Sequence, residues 1–140
     1  MIESFTPIQP LLGASIPCPV YMTQVPAGFP SPADDYMERH LDLNEYLIAR
    51  PAATYFVRVK GEAMEGAGIF NGDLLIVDKS LKPTSGCVVL AVLNGEITVR
   101  RLQRNTRGWI LYSENSRLNP VFVGDELEIW GVVTSVVHSF

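Results

Sequence analysis

Cys18, Cys87, His40 and His138 are the side chains of this 140-residue chain whose types most often do chemistry near neutral pH. Thiolates and imidazoles act as nucleophiles, bases or metal ligands only with a partner in reach. The two cysteines lie far apart, in no metal-ligand spacing and with no histidine nearby, so they read as reduced thiols and no metal site is expected. His40 and His138 have no obvious carboxylate or cysteine partner in sequence and read as surface or strand-end residues. Two stretches remain. One is Val59-Lys60-Gly61-Glu62-Ala63-Met64, followed by Gly66, Gly68-Ile69 and Asn71-Gly72-Asp73-Leu74-Leu75-Ile76-Val77-Asp78; the other is Gly95-Glu96-Ile97-Thr98-Val99-Arg100-Arg101-Leu102. By residue type alone, Glu62-Ala63-Met64 is a strand-to-turn connection with Met64 filling core, and Arg100 is a strand arginine beside Arg101. Alternation places Thr98, Arg100 and Leu102 on one face and Ile97, Val99 and Arg101 on the other, and neither face is cleanly apolar.

Taken in order, the stretches say more. The first is similar to the G-[DE]-S-M box and the G-D-L-L-x-V-D strand of the LexA/UmuD family of Ser-Lys self-cleaving proteins, and the second resembles the strand that carries that family's lysine. Ala27-Gly28-Phe29-Pro30 resembles the cleavage site. Glu114-Asn115-Ser116 with Asn119-Pro120, and the closing Trp130-Gly131-Val132-Val133, also fit, so the resemblance covers essentially the whole chain. Each motif is weak alone; their ordered sum is specific.

The family chemistry requires both members of a pair. A serine hydroxyl is a poor nucleophile until a base takes its proton, and a lysine desolvated by apolar neighbours has its pKa lowered far enough to serve. In this chain the serine position is Ala63, which has no oxygen, and the lysine position is Arg100, whose guanidinium stays protonated in proteins. The chain as written is therefore expected not to cleave itself. Either it was altered to hold the uncleaved form or it is a naturally inactive relative; the otherwise intact box favours the first.

The resemblance implies more about the site. The substrate is a bond of the protein's own arm, here Ala27-Gly28, where a small residue and a glycine let the backbone enter a narrow cleft. Backbone N–H groups of Glu62 and Ala63 are the candidates for stabilising the oxyanion. No cofactor is implied. The partners implied are a second copy in a homodimer, a RecA filament on single-stranded DNA that stimulates cleavage, and a UmuC-type translesion polymerase that the shortened form joins.

These residues need elements to hold them. Seven prolines between Pro7 and Pro32 each remove a backbone donor and restrict the preceding residue, so residues 1–33 are expected to form an extended arm able to lie along a groove or pair with a strand edge. Residues 34–140 are expected to form the β-rich self-cleavage and dimerisation domain. Asp42 caps a short helix through Leu43, Tyr46 and Leu47, stopped by Pro51. From Thr54 onward the pattern is β. Tyr55, Val57 and Val59 alternate with Phe56, Arg58 and Lys60; Leu74 to Val77 and Val88 to Leu93 are apolar runs behind turns; and Asn94-Gly95 predicts a tight hairpin into Glu96 to Leu102. Trp109 to Ser113, Pro120 to Val123 and Leu127 to His138 complete the set. The fold class is mostly β, a compact LexA/UmuD-like domain of several small, largely antiparallel sheets.

Composition narrows the alternatives. Net charge is −4 with cations and acids interspersed, so direct DNA binding is not expected. No apolar run reaches the roughly 18 residues of a membrane span and no leader pattern opens the chain, which reads as cytoplasmic. Only 27 residues precede the proposed scissile bond and they carry no Lys or Arg, which speaks against a DNA-reading repressor. A signal-peptidase-like enzyme lacks its anchor. The competing class is a non-catalytic interaction module that binds a polymerase or replication protein and is never cut.

Overall fold

The computed structural model describes residues 13, 15–21, 37–115, 117–124 and 126–140. They belong to two compact units, Leu11–Ala49 and a larger one containing Arg50–Phe140.

In the smaller unit, β1 (Pro17–Tyr21) pairs antiparallel with β2 (Met37–Asp42), Pro17 opposite Asp42 and Pro19 opposite His40. A two-stranded ribbon leaves one edge of each strand unbonded, which is where proline's missing N–H does no harm. Asp42 ends β2 in an extended conformation, and its carboxylate accepts the N–H of Asn44, 2.9 Å away, capping α1 (Leu43–Leu47). Its other oxygen accepts the Ser15 hydroxyl at 2.9 Å. Leu43 and Tyr46 on α1 remain exposed.

The larger unit holds β3 (Thr54–Arg58), β4 (Leu74–Asp78), β5 (Val88–Leu93), β6 (Glu96–Asn105), β7 (Gly108–Tyr112), β8 (Val121–Gly124) and β9 (Ile129–Val137). They make one seven-stranded antiparallel sheet in the order β3-β4-β9-β5-β6-β7-β8, which with the two-stranded ribbon gives a mostly β, antiparallel fold. The last strand in sequence inserts between β4 and β5, at the cost of a register shift against each neighbour. Gly131 permits that insertion, since a Cβ there would lie 2.5 Å from Cγ1 of Val77.

Burial follows the period of two. Tyr55, Val57 and Val59 are buried while Arg58 and Lys60 are exposed. Asn94 and Gly95 adopt φ of 53° and 79°, the left-handed pair of a tight hairpin turn. That turn sets the β5–β6 register, Leu93 opposite Glu96 and Val89 opposite Arg100. A choice of turn residues thus fixes what faces position 100, five residues along the strand.

Two apolar clusters fill the unit. Ala63, Met64 and Ile69 pack with Tyr55, Val57, Val59, Leu75, Val77, Leu90 and Val99. Val89, Ala91, Leu102, Leu111 and Val132 form the second. No described helix is long and apolar enough to cross a membrane.

Candidate functional site

Residues 59–73 form a loop tied at its neck. Val59 N–H donates to Asp73 O at 2.9 Å, Gly72 N–H donates to Val59 O at 2.8 Å, and Gly61 N–H donates to the Asn71 side chain at 2.9 Å. Inside it Glu65–Ala67 makes one 3₁₀ turn, and Ile69 N–H returns to Met64 O at 3.2 Å. Met64 and Ile69 are buried, so the loop is anchored by its own apolar side chains and Ala63 is carried into the core beside them.

A second segment clamps this loop to the sheet. Glu114 N–H donates to Ala63 O at 2.8 Å, and Glu114 O accepts Gly66 N–H at 2.7 Å. The contact is tight enough that a Cβ on Gly66 would stand 2.6 Å from the Glu114 carbonyl oxygen. Asn115 donates from its side chain to Glu62 O at 3.0 Å. The Glu114 carboxylate accepts Nε of Arg101 on β6 at 2.8 Å, and the same guanidinium donates to Gly86 O at 2.8 Å. Glu114 thus holds the loop with its main chain and β6 with its side chain. The sequence marked Glu114-Asn115 as a matching motif without giving it a task, because the bonds it makes span tens of residues.

Glu62 O and Ala63 O are taken by these bonds, whereas among the described residues no acceptor takes the N–H of Glu62 or Ala63. Ala63 brings only a methyl group.

Arg100 lies on β6 and is partly buried, its Nη1 donating to Val99 O at 2.7 Å. Burial lowers the pKa of the guanidinium by disfavouring its charged form. On the same face of β6 sit Thr98 and Leu102, with Val89 opposite, and all three are buried. The Thr98 hydroxyl has no hydrogen-bond partner among the described residues. A buried orphan hydroxyl is costly, and sequence patterning gave no sign of it.

Glu62, Ala63, Glu114, Asn115 and Arg101 are therefore joined by direct bonds. No bond among the described residues links Arg100 to them: its neighbour Val99 packs in the cluster of Ala63, while Arg100 itself lies on the alternate face of β6. Ala27 and Gly28 lie outside the described residues. His138, which the sequence left without a carboxylate partner, is paired with Asp73, 65 positions away, at 2.5 Å. No group of His, Cys, Asp and Glu able to hold a metal occurs among the described residues.

A family model described as Peptidase S24-like matches residues 19–134. The chain is 48% identical over 120 residues to Protein SamA of Salmonella typhimurium, covering 86% of this chain and 84% of SamA. It is 47% identical over 120 residues to Protein ImpA of Escherichia coli, covering 86% of this chain and 83% of ImpA. A LexA repressor of Glaesserella parasuis is 37% identical over 119 residues, which are 83% of this chain and 56% of the repressor.

Proposed function

Because the chain belongs to the LexA/UmuD family of Peptidase S24-like proteins, we propose that it is a UmuD-like SOS mutagenesis protein held in its uncleaved, catalytically inactive form. The observation that carries this reading is the environment of position 100. It lies on a β-strand between buried Thr98 and Leu102, and burial there already works against a cation. A lysine in that place would lose its proton more readily than one in water, as a general base must, whereas an arginine keeps its proton.

With serine at 63 and lysine at 100, the neutral amine takes the hydroxyl proton and the oxygen attacks the carbonyl carbon of Ala27. The resulting oxyanion is held by the N–H groups of Glu62 and Ala63. Collapse breaks the Ala27–Gly28 bond, the lysine returns its proton to the departing amine of Gly28, and water then releases the acyl group. Ala63 abolishes the first step and Arg100 the proton transfer. The family's biology follows as part of the same proposal: a cytoplasmic homodimer, RecA filaments as stimulators of cleavage, and a UmuC-type polymerase that the shortened form joins in translesion synthesis.

The test restores both groups. Ala63→Ser with Arg100→Lys, incubated at alkaline pH where lysine deprotonates, should release a fragment lacking residues 1–27, read by mass. No fragment, even with activated RecA present, would favour the second reading, a binding module never processed by its own chain. Ala63 favours that reading to the extent that its methyl group completes a packed cluster.

A further inference from the structure

The end of the chain is bound back onto the loop that carries Ala63. His138, just past β9, places Nδ1 2.5 Å from Oδ1 of Asp73, and Oδ2 of the same carboxylate accepts the N–H of Phe70 at 2.8 Å. The Asp73 side chain is 2% exposed and that of His138 41%, so the carboxylate is enclosed by the fold with the imidazole as its cover. The rings of Phe70 and Phe140 lie 5.4 and 5.3 Å from the imidazole, centroid to centroid. The sheet leads directly into this contact, because Leu74 is paired with Val137 in the β4–β9 ladder. Asp73 is also one post of the loop's neck, its carbonyl accepting Val59 N–H. Without His138 the Asp73 carboxylate loses one of its two protein donors and is opened to water, so the neck should be held less firmly.

We propose that His138 is a positioning residue: through Asp73 it fixes the closure of the 59–73 loop, and thereby the place of residue 63 relative to the strand that bears residue 100. The fixing of the loop follows from these contacts alone; its consequence for cleavage rests on the reading of position 63 given above.

The experiment compares the full chain with His138→Ala, Asp73→Asn and the double variant by amide hydrogen exchange. In His138→Ala the amides of Gly61, Phe70 and Gly72 should exchange about tenfold faster while those of the β5–β6 ladder keep their rates, and the double variant should exceed neither single by more than experimental error. In the Ala63→Ser, Arg100→Lys background, His138→Ala should slow self-cleavage by about tenfold. His138→Gln, which keeps a side-chain N–H donor, should recover part of both effects, and it carries the comparison if His138→Ala does not fold. Unchanged exchange at the loop amides, equal acceleration in the β5–β6 ladder, or a loosened loop with an unaltered cleavage rate would overturn the proposal. A loosened loop in a background that never cleaves would support the fixing of the loop and sink the protease reading instead.

Discussion

Two buried groups in the larger unit, Tyr55 and Asp78, link its stability to pH. Burial pushes the Tyr55 phenol up to about 12, and its hydroxyl donates to Trp130 O at 2.9 Å. A folded value above the unfolded one, about 10, means that its stabilising contribution is whole below pH 10 and lost as pH rises through 12. Alkaline cleavage assays therefore belong below pH 10, and Tyr55→Phe, which removes the hydrogen bond to Trp130 O, should cost about 1 kcal/mol in urea unfolding. Asp78 runs the other way. Burial alone would raise its pKa, but hydrogen bonds from the Ser80 hydroxyl and N–H, together with the bond and charge of Arg50, outweigh burial and hold it below the ordinary aspartate value. Its contribution is present above about pH 4 and fades as pH falls through the lowered folded value. Asp78→Ala should cost about 1–3 kcal/mol at pH 7 and shift the acid transition to higher pH, both measurable by circular dichroism.

At the level of elements, local chemistry was legible and long-range pairing was not. Asp42 reads as a helix cap and Asn94-Gly95 as a tight turn because a short side chain or a left-handed φ leaves its mark in a few adjacent residues. The strand from Val88 to Leu93 was likewise readable from its apolar run. The insertion of β9 between β4 and β5, the pairing of Asp73 with His138, and the clamp made by Glu114 join residues far apart, and no local pattern specifies such partners. The proline-rich stretch signalled an extended arm, but its pairing as β1 with β2 depended on which edges stay unbonded, which composition does not encode. The clamp supplies a test. Gly66→Ala drives a methyl group against the Glu114 carbonyl oxygen, a backbone atom that must shift, and should cost about 1–3 kcal/mol by denaturant unfolding. A cost near zero would mean that the 114–115 segment is not seated on the loop in solution.

For the whole molecule, the proposed function implies that the Ala27–Gly28 bond stays intact and that the chain can still serve as a substrate. A catalytically competent relative mixed with it should cut it after Ala27, detected by mass, whereas complete resistance while the relative processes itself would count against the cleavage-site assignment or against mixed pairing. The motifs were legible because the box and Glu114-Asn115 are each short and local. The bonds by which Glu114 and Asn115 hold the box were not, since they join residues far apart in the chain. The central claim is that residues 63 and 100 flank one cleft that receives the chain's own arm, and a crystal structure of the uncleaved protein tests it most directly. The account predicts the carbonyl carbon of Ala27 within about 4 Å of the Ala63 methyl, with the Arg100 side chain bordering the same cleft. Ala63 and Arg100 opening onto separate surfaces, with Ala27 near neither, would contradict it.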